Sequence, residues 1–313
     1  MKFHSSILSL IATGALVACG GGGGSATTTP AATSTANTLV LVNTANAKAV
    51  GSVALEATGN PLAFMGTSGL LIAVGNNPTA SLFTQPQPCT TGGTAGISGS
   101  VVNLTQLRAG DRLTAAFNNC GIAAVLGRSV TLSGSTTSVV TSSTTTRASL
   151  VTSLDNLGVS FNGNTTQFTG DQNADFDGTN ANSLVYALTG KSLTVKSTTA
   201  GGLRTNVWQD YAQTFVTTGN STSYVLASTV QSDNPNIATL GGKFVVTTLA
   251  PVVRNNTTGL LTSGAISVVG ASGTRLIATV NVGGTVTIQV DANGDGVFES
   301  TLTGTTAELT SLL

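Results

Sequence analysis

The segment Ser192-Leu193-Thr194-Val195-Lys196 shows the pattern that decides the fold. Apolar Leu193 and Val195 alternate with polar residues, so an extended chain has one apolar face and one polar, solvent-exposed face that carries little charge. The same two-residue period recurs along the chain from Thr38 onward. Clusters of Gly, Asn, Asp and Ser separate the alternating segments roughly every 8 to 15 residues, which is typical of strands joined by turns.

These segments predict an all-β protein with a large, mostly antiparallel sheet, arranged as a sandwich or as a barrel-like or half-barrel-like structure. A β-solenoid is the alternative, because the spacing is regular and Gly-rich, although no repeat of fixed length supports it. The predicted strands lie at residues 39–42, 49–55, 69–74, 95–104, 112–118, 129–133, 137–141, 147–154, 159–162, 166–170, 183–188, 192–197, 204–216, 223–230, 243–249, 264–269, 275–282, 285–290 and 297–302.

The composition limits the chemistry that the chain can perform. Charged residues make up 8% of the sequence, and the shortage of Glu, Lys, Arg and Gln disfavours a helical protein. The only histidine is His4, so the rest of the chain has no histidine for a catalytic triad, a zinc site or a general base. The 12 basic residues are balanced by 12 acidic ones, which argues against nucleic acid as a partner.

The N-terminal residues have the features of a bacterial secretion signal. Lys2 supplies the positive charge, and the apolar run of residues 7–17 is followed by Cys19. That run has about eleven residues, too few for a transmembrane helix, which needs about 20. An ordinary cleaved signal, in which Cys19 is incidental, is the alternative to the interpretation that follows.

The stretch Leu16-Val17-Ala18-Cys19 resembles the lipobox of bacterial lipoproteins. The resemblance implies cleavage before Cys19, transfer of a diacylglycerol group to its thiol, and acylation of the new amino terminus with a fatty acid such as palmitate. Several acyl chains together hold a protein stably on a membrane. Gly20 stands where an Asp would favour retention in the inner membrane, so the resemblance implies a lipid anchor in the cell outer membrane, on its periplasmic or its surface side.

These features divide the chain into three parts. Residues 1–18 are the predicted lipoprotein signal peptide, and residues 19–37 are a predicted flexible tether of Gly, Ala and Thr, without charge and with little to bury. Residues 38–313 form the β-rich extracytoplasmic domain. One domain is the simpler expectation, and two domains divided near residues 155–182 are the alternative.

Two cysteines remain besides the predicted lipidation site. Cys89 and Cys120 should form a disulfide in an oxidising periplasm or at the cell surface, and two free thiols are the alternative. Counting back from a turn at residues 109–110, Cys120 should face residues 98–100. The bridge would then tie the lead-in loop to the hairpin, which is a structural role.

Two stretches are similar to segments of predicted outer-membrane lipoproteins of β- and γ-proteobacteria, a largely uncharacterised group. In the first, Cys89 and its following glycines precede the turn Ala109-Gly110-Asp111 and then Phe117-Asn118-Asn119-Cys120. In the second, residues 264–271 lead into 275–280 and then into 290–296. The resemblance extends loosely over residues 85–305, and it implies the same secreted β architecture but no activity.

A candidate calcium loop lies near the C-terminus. Asp291, Asn293, Asp295 and Glu299 occupy positions 1, 3, 5 and 9 of a loop with glycine at position 6, which matches the front half of a calcium-binding loop. Position 12 is Leu302 instead of the bidentate Glu of an EF-hand, so an EF-hand is excluded. A calcium-binding hairpin tip is one interpretation, and a simple Asn-Gly and Asp-Gly turn without metal is the other.

Two further clusters allow a structural and a functional interpretation. Asp171, Asn173, Asp175 and Asp177 alternate along one segment, as in a weak cation site or an exposed acidic strand edge. The aromatic residues of segment 208–215 are expected to pack in the core or at an edge, with a carbohydrate-stacking surface as the alternative. That aromatic set consists of Trp208, Tyr211 and Phe215.

The sequence therefore predicts a non-enzymatic, lipid-anchored envelope protein with a structural or surface-interaction role. Its expected partner is the membrane, through acylated Cys19, and an envelope protein, glycan or lipid is a further candidate partner. The alternative is a glycan-binding or lipid-binding carrier module, which would need a large apolar cavity. A hydrolase would need two buried carboxylates about 5–10 Å apart in a cleft. Calcium is the one cofactor that the sequence suggests.

Overall fold

The computed structural model describes residues 38–59, 86–100, 107–123, 129–161, 164–180, 182–199, 202–234, 237, 242–258 and 260–310. The predicted signal peptide, the tether and the predicted strand at 69–74 lie outside these residues. The described chain consists of one sheet and two helices. Helix α1 is Ala47–Gly59 and helix α2 is Thr306–Thr310.

Among the described residues, the sheet has fourteen strands. A short 3-10 turn, Ala271–Gly273, separates two of them near the C-terminus. The strands are β1 Gln87–Pro88, β2 Thr94–Ser100, β3 Arg112–Ala123, β4 Ser129–Ser143, β5 Arg147–Phe161, β6 Asn164–Asn180, β7 Ser183–Thr199, β8 Gly202–Thr218, β9 Ser221–Ser232, β10 Lys243–Asn255, β11 Leu261–Val269, β12 Arg275–Val280, β13 Thr285–Asp291 and β14 Ser300–Thr305.

The strands lie in the sheet in chain order, and each pairs antiparallel with the next. The predicted all-β, antiparallel class is therefore confirmed. The described sheet is single and open, with β1 and β14 at its edges, so it is not a sandwich of two separate sheets. Antiparallel neighbours also exclude the solenoid, whose coils pair in parallel. Within the described part of residues 155–182, strand β6 pairs with both β5 and β7, with shifts in register at residues 154–157, 170–173 and 177–180.

A line of β-bulges crosses the long strands between β3 and β8. Asn119, Asn156 and Asp210 have left-handed φ angles of 47°, 48° and 46°, each at or beside a break in strand register. Gly134 has φ of 79°, and a Cβ there would lie 2.1 Å from the carbonyl oxygen of Asn156, so only glycine fits. Bulges bend a strand and increase its twist. The line of bulges therefore gives the wide sheet its curvature.

The bulges also restart the alternation of buried and exposed residues. In β5, Leu154 is buried before the bulge at Asn156 and Leu157 is buried after it, three positions away instead of two. The extra residue keeps apolar side chains on the same face along the whole strand. The sequence predicted two strands here, at 147–154 and 159–162, where the structure has one.

One face of the sheet is buried and apolar across almost its whole width. Leu113 in β3, Phe168 in β6, Phe244 in β10 and Ile288 in β13 each expose at most 1% of their surface. Helix α1 lies on this face against strands β9 to β13. The burial of this apolar face is the main contribution to stability, because burial contributes about 25 cal/mol for each Å² of apolar surface.

The prediction of a strand at residues 49–55 was wrong, because they form the middle of α1. The side-chain oxygen of Asn43 begins this helix by accepting the backbone N–H groups of Ala45 and Asn46 at 2.9 and 3.2 Å. Nearly all of α1 is buried, so its apolar residues occur on every side and show no 3.6-residue period. A short apolar run of this kind cannot be told from a buried strand by periodicity.

Candidate functional sites

Cys19, the predicted lipidation site, lies outside the described residues. The described chain begins at Thr38, and the backbone N–H of Val40 donates to the carbonyl of Lys243 at the start of β10. The N-terminal segment therefore joins the domain at that end of the sheet. Among the described residues, no helix has the length and apolar character needed to cross a membrane.

Cys89 and Cys120 form the predicted disulfide, with their Cα atoms 5.3 Å apart. Thr94, at the start of β2, lies opposite Asn118 in β3. Cys120 lies two residues further along β3, beyond the first residue of β2, and therefore lies beside the loop that contains Cys89. The bridge ties this lead-in loop to the β2–β3 hairpin, as the sequence predicted.

The predicted register of that hairpin was wrong. Residues 98–100 pair with residues 112–114 and do not face Cys120. The prediction assumed that the two strands continue up to a tight turn at residues 109–110, whereas Ser100 pairs with Arg112, with eleven residues between them in sequence. Each extra residue in a connection shifts the pairing of the strands that it joins.

The connection between β13 and β14 brings together three of the four predicted calcium ligands. Carboxylate oxygens of Asp291, Asp295 and Glu299 all lie within 4.8 Å of one another. Asp291 is buried, and its two oxygens accept the backbone N–H groups of Gly294 and Gly296 at 2.7 and 2.9 Å. Asp295 and Glu299 are exposed, so the cluster lies at the surface.

The fourth predicted ligand, Asn293, stabilises the loop from within. Its side-chain oxygen accepts the backbone N–H of Asp295 at 2.8 Å, and its amide nitrogen donates to Asp295 Oδ2 at 3.1 Å. Glu299 Oε2 accepts the N–H of Ala292 at 3.0 Å. These bonds suit a metal-free turn, while the oxygen donors are those that calcium prefers. Calcium binding therefore stays a prediction.

If the loop binds calcium, adding CaCl2 to protein freed of metal with EDTA should raise the thermal unfolding temperature. Ligand at 100 times its Kd adds about 2.7 kcal/mol to the stability of a protein that binds it only when folded. The double variant Asp295→Asn, Glu299→Gln should lose this response, and Asp171→Asn, Asp175→Asn should keep it. An unfolding temperature that is the same with CaCl2 and with EDTA would contradict calcium binding and support the interpretation of the loop as a turn without metal.

The predicted acidic cluster at residues 171–178 lies on β6, and its position corrects the sequence interpretation. Strand β6 is internal, between β5 and β7, so the cluster is not a strand edge. Asp171, Asn173 and Asp175 point to the exposed face, and Asp177 pairs with Arg147 at 2.9 Å. The alternation is that of an outer sheet face whose inner residues are buried.

Trp208, Tyr211 and Phe215 are buried, with at most 2% of each exposed. The core-packing interpretation of these residues is therefore confirmed, and they offer no exposed surface for stacking a sugar. Trp208 and Tyr211 contact edge to face, with ring centroids 6.2 Å apart. Such aromatic pairs stabilise a core beyond the area that they bury.

The structure also reveals a buried charge that the sequence analysis missed. Arg254 in β10 exposes 5% of its surface, and its guanidinium lies 5.7 Å from the ring centroid of Tyr224. The two-residue period places Arg254 on the same face as buried Val252, which is a signal that the sequence contained. The predicted strand ended at residue 249, before Pro251, and therefore left Arg254 out. The structure continues β10 through Pro251 at a stretch where it does not pair with β9.

Helix α1 contains an acidic residue with an unusual environment. Burial raises the pKa of Glu56 to about 7, and attraction to the Arg204 guanidinium opposes that shift. The Glu56 side chain still exposes part of its surface. The carboxyl group is therefore substantially protonated in the folded protein at pH 6, where an ordinary glutamate is ionised.

Glu56 should make the protein less stable as the pH rises. The unfolded chain releases this proton near pH 4.5 and the folded protein near pH 7, so its contribution to stability is full below pH 4.5 and is lost between those values. We expect a loss of about 2 kcal/mol, less than the whole shift implies, because part of the side chain meets solvent. Glu56→Gln should abolish this change between urea denaturations at pH 5 and pH 8, and Glu308→Gln should not. An unchanged pH dependence in Glu56→Gln would contradict the assignment.

Comparison with known proteins identifies no relative: no family model, no curated protein and no solved structure matches the chain.

Proposed function

We propose that the chain is a lipid-anchored, non-enzymatic protein of the cell outer membrane, with a structural or surface-interaction role. The observation that carries the proposal is the stretch Leu16-Val17-Ala18-Cys19, followed by a tether that opens with five glycines. A thiol at that position is suited to acylation, and a tether without charge lets the domain stand away from the membrane.

Two features of the domain support this proposal. The Cys89–Cys120 disulfide suits an oxidising compartment outside the cytoplasm. The described residues form three ion pairs, all on the exposed surface, and Thr and Ser are frequent on the outer sheet face. A surface of this kind fits contact and display better than electrostatic capture of a charged polymer.

The outer face also carries an apolar patch on β9, β10 and β11. Val225, Val245, Leu249 and Val269 expose between 36% and 56% of their surface, and Val245 lies directly opposite Val269. Exposed apolar groups that cluster are a feature of contact surfaces. The patch therefore supports a role in surface interaction.

The anchor is tested by blocking the signal peptidase of lipoproteins with globomycin in cells that produce the chain. We expect an uncleaved precursor to accumulate in treated cells and a shorter, membrane-bound protein in untreated cells. The variant Cys19→Ser should leave the membrane fraction, and Cys89→Ser should stay in it. A mature protein of the same size with and without globomycin would overturn the proposal.

Binding of a lipid or a glycan is the second candidate function. The observation that favours it is Arg254, a cation buried on the apolar face of the sheet. A structural protein without a ligand has no need for such a charge, because an apolar residue of similar volume is often equally or more stable there.

A further inference from the structure

The inner face of the sheet contains a cation, Arg254, that is only partly satisfied by its surroundings. Arg254 exposes 5% of its surface, and among the described residues its buried Nε and Nη1 atoms have no hydrogen-bond partner. Burial lowers the pKa of this guanidinium, although arginine stays protonated in proteins. A charged group in this position loses its hydration, which is unfavourable unless a partner compensates.

None of the Asp and Glu side chains, all of which lie in the described residues, forms an ion pair with Arg254. The described residues include all 12 Asp and Glu, and their ion pairs join Lys48 to Glu308, Arg147 to Asp177 and Lys191 to Asp210. Within the described structure, the Tyr224 ring is the group seen to interact with the Arg254 charge. A cation–π contact compensates only part of the cost of burying the charge.

The surroundings of Arg254 are polar on one side and aromatic on the other. Thr222 lies directly opposite Arg254 in β9, and its hydroxyl donates to Asn256 Oδ1 at 3.0 Å. Thr217 Oγ1 lies 3.0 Å from the same hydroxyl. The turns β8–β9 and β10–β11 follow within a few residues, so the cluster lies near the rim of the sheet and close to solvent.

A row of aromatic rings extends from Arg254 along the inner face. Neighbouring centroids lie 6.2 Å apart between Tyr224 and Phe215, 4.8 Å between Phe215 and Tyr186, and 5.0 Å between Tyr186 and Phe176. A free, fully hydrated anion would lose much hydration on entering such an apolar environment. These rings expose at most 8% of their surface, so the apolar part of an amphipathic molecule would have to replace the residues that now cover them, and its apolar contacts would then offset this cost.

We propose that Arg254 binds an oxyanion, the carboxylate or phosphate group of a small amphipathic molecule, at the rim of the inner sheet face. The guanidinium presents paired N–H donors that match the oxygens of either group. Thr222 lies directly opposite Arg254, but its hydroxyl already donates to Asn256 Oδ1, so the guanidinium is the group that would contact the anion. The inference rests on the second candidate function, ligand binding, and is independent of the lipid anchor.

The test uses the chain from residue 19 onward with Cys19→Ser, so that no detergent competes for the site. Binding of laurate, dodecyl phosphate, uncharged dodecanol and inorganic phosphate is measured by calorimetry and by the shift in unfolding temperature, below micelle-forming concentrations. We expect laurate or dodecyl phosphate to bind at least tenfold more tightly than dodecanol. If inorganic phosphate binds as tightly as dodecyl phosphate, the ligand is a free oxyanion. Arg254 then still binds the anion, but the ligand needs no apolar tail.

Substitutions of Arg254 test whether this residue binds the anion. Arg254→Met should bind the anions at least tenfold more weakly, and its unfolding temperature without ligand should be equal or higher, because a buried charge has been removed. Arg275→Met is the matched control, since Arg275 also lies over a ring, that of Phe298 at 5.0 Å, and it should leave binding unchanged. If Arg254→Met does not fold, Arg254→Lys keeps the charge and should bind more weakly for lack of paired donors.

Two results would overturn the inference. One is equal binding of the anions by the original chain and by a folded Arg254 variant. The other is the absence of binding for all the anions tested. Neither result bears on globomycin sensitivity, so failure of this inference is distinguishable from failure of the proposed anchor.

Discussion

Replacing Phe215 with Ala should lower the free energy of unfolding by about 4 kcal/mol, within the range of buried Phe-to-Ala changes. Phe215 is fully buried, stacks on Tyr186 with centroids 4.8 Å apart, and contacts Tyr224 at 6.2 Å. The substitution removes these contacts and leaves a cavity between strands β7 and β9. Strand pairing on both sides of Phe215 keeps the cavity from closing.

Urea denaturation followed by circular dichroism measures this loss. The matched control is Val225→Ala on the neighbouring strand, because Val225 is 43% exposed on the opposite face. We expect the control to cost below about 1 kcal/mol. A loss of similar size in both variants would mean that the inner face is not the protein's core.

Removing the disulfide should cost about 3–4 kcal/mol, because the unfolded chain regains the freedom of the enclosed loop. Cys89 and Cys120 are 31 residues apart in sequence. Replacing both with Ala avoids a free thiol and a buried hydroxyl. The denaturation midpoint of this double variant should fall well below that of the original chain.

A reducing agent provides the control for the disulfide. It should lower the midpoint of the original chain towards that of the double variant, and it should not change the double variant. Equal midpoints for the oxidised chain and the double variant would contradict a stabilising role. The bridge would then only restrain the lead-in loop.

The class of the fold was predictable because the two-residue period survives along almost every strand. The lengths of the strands could not be predicted in the same way. Gly134, Asn156 and Gly170 lie at points where the sequence predicted a strand to end, and the structure continues through each of them. Turn-forming residues mark both a turn and a bulge, and only pairing with the neighbouring strand distinguishes the two.

Helix α1 was missed for a different physical reason. Its central residues, such as Val50 and Val53, have side chains that favour strands, and its burial on all sides removes the period that identifies a helix. The Asn43 cap was the remaining signal in the sequence. The sheet provides the apolar surface that stabilises this helix, and that surface is formed by residues distant in sequence.

The candidate sites were predictable to different degrees. Spacing in the sequence was enough to bring Asp291, Asp295 and Glu299 together, because the ligands of such a loop are local. The environment of Arg254 depends on the pairing of β10 with β9 and on the ring of Tyr224. A single sequence does not specify that register, so the buried charge could be recognised only in the folded structure.

The most direct test of the account is mass spectrometry of the mature N-terminus. The account predicts that the chain begins at Cys19 and that its N-terminal peptide is heavier than the bare peptide by a diacylglyceryl group and an amide-linked fatty acid. An unmodified N-terminal peptide, or a mature chain that begins at a residue other than Cys19, would contradict it.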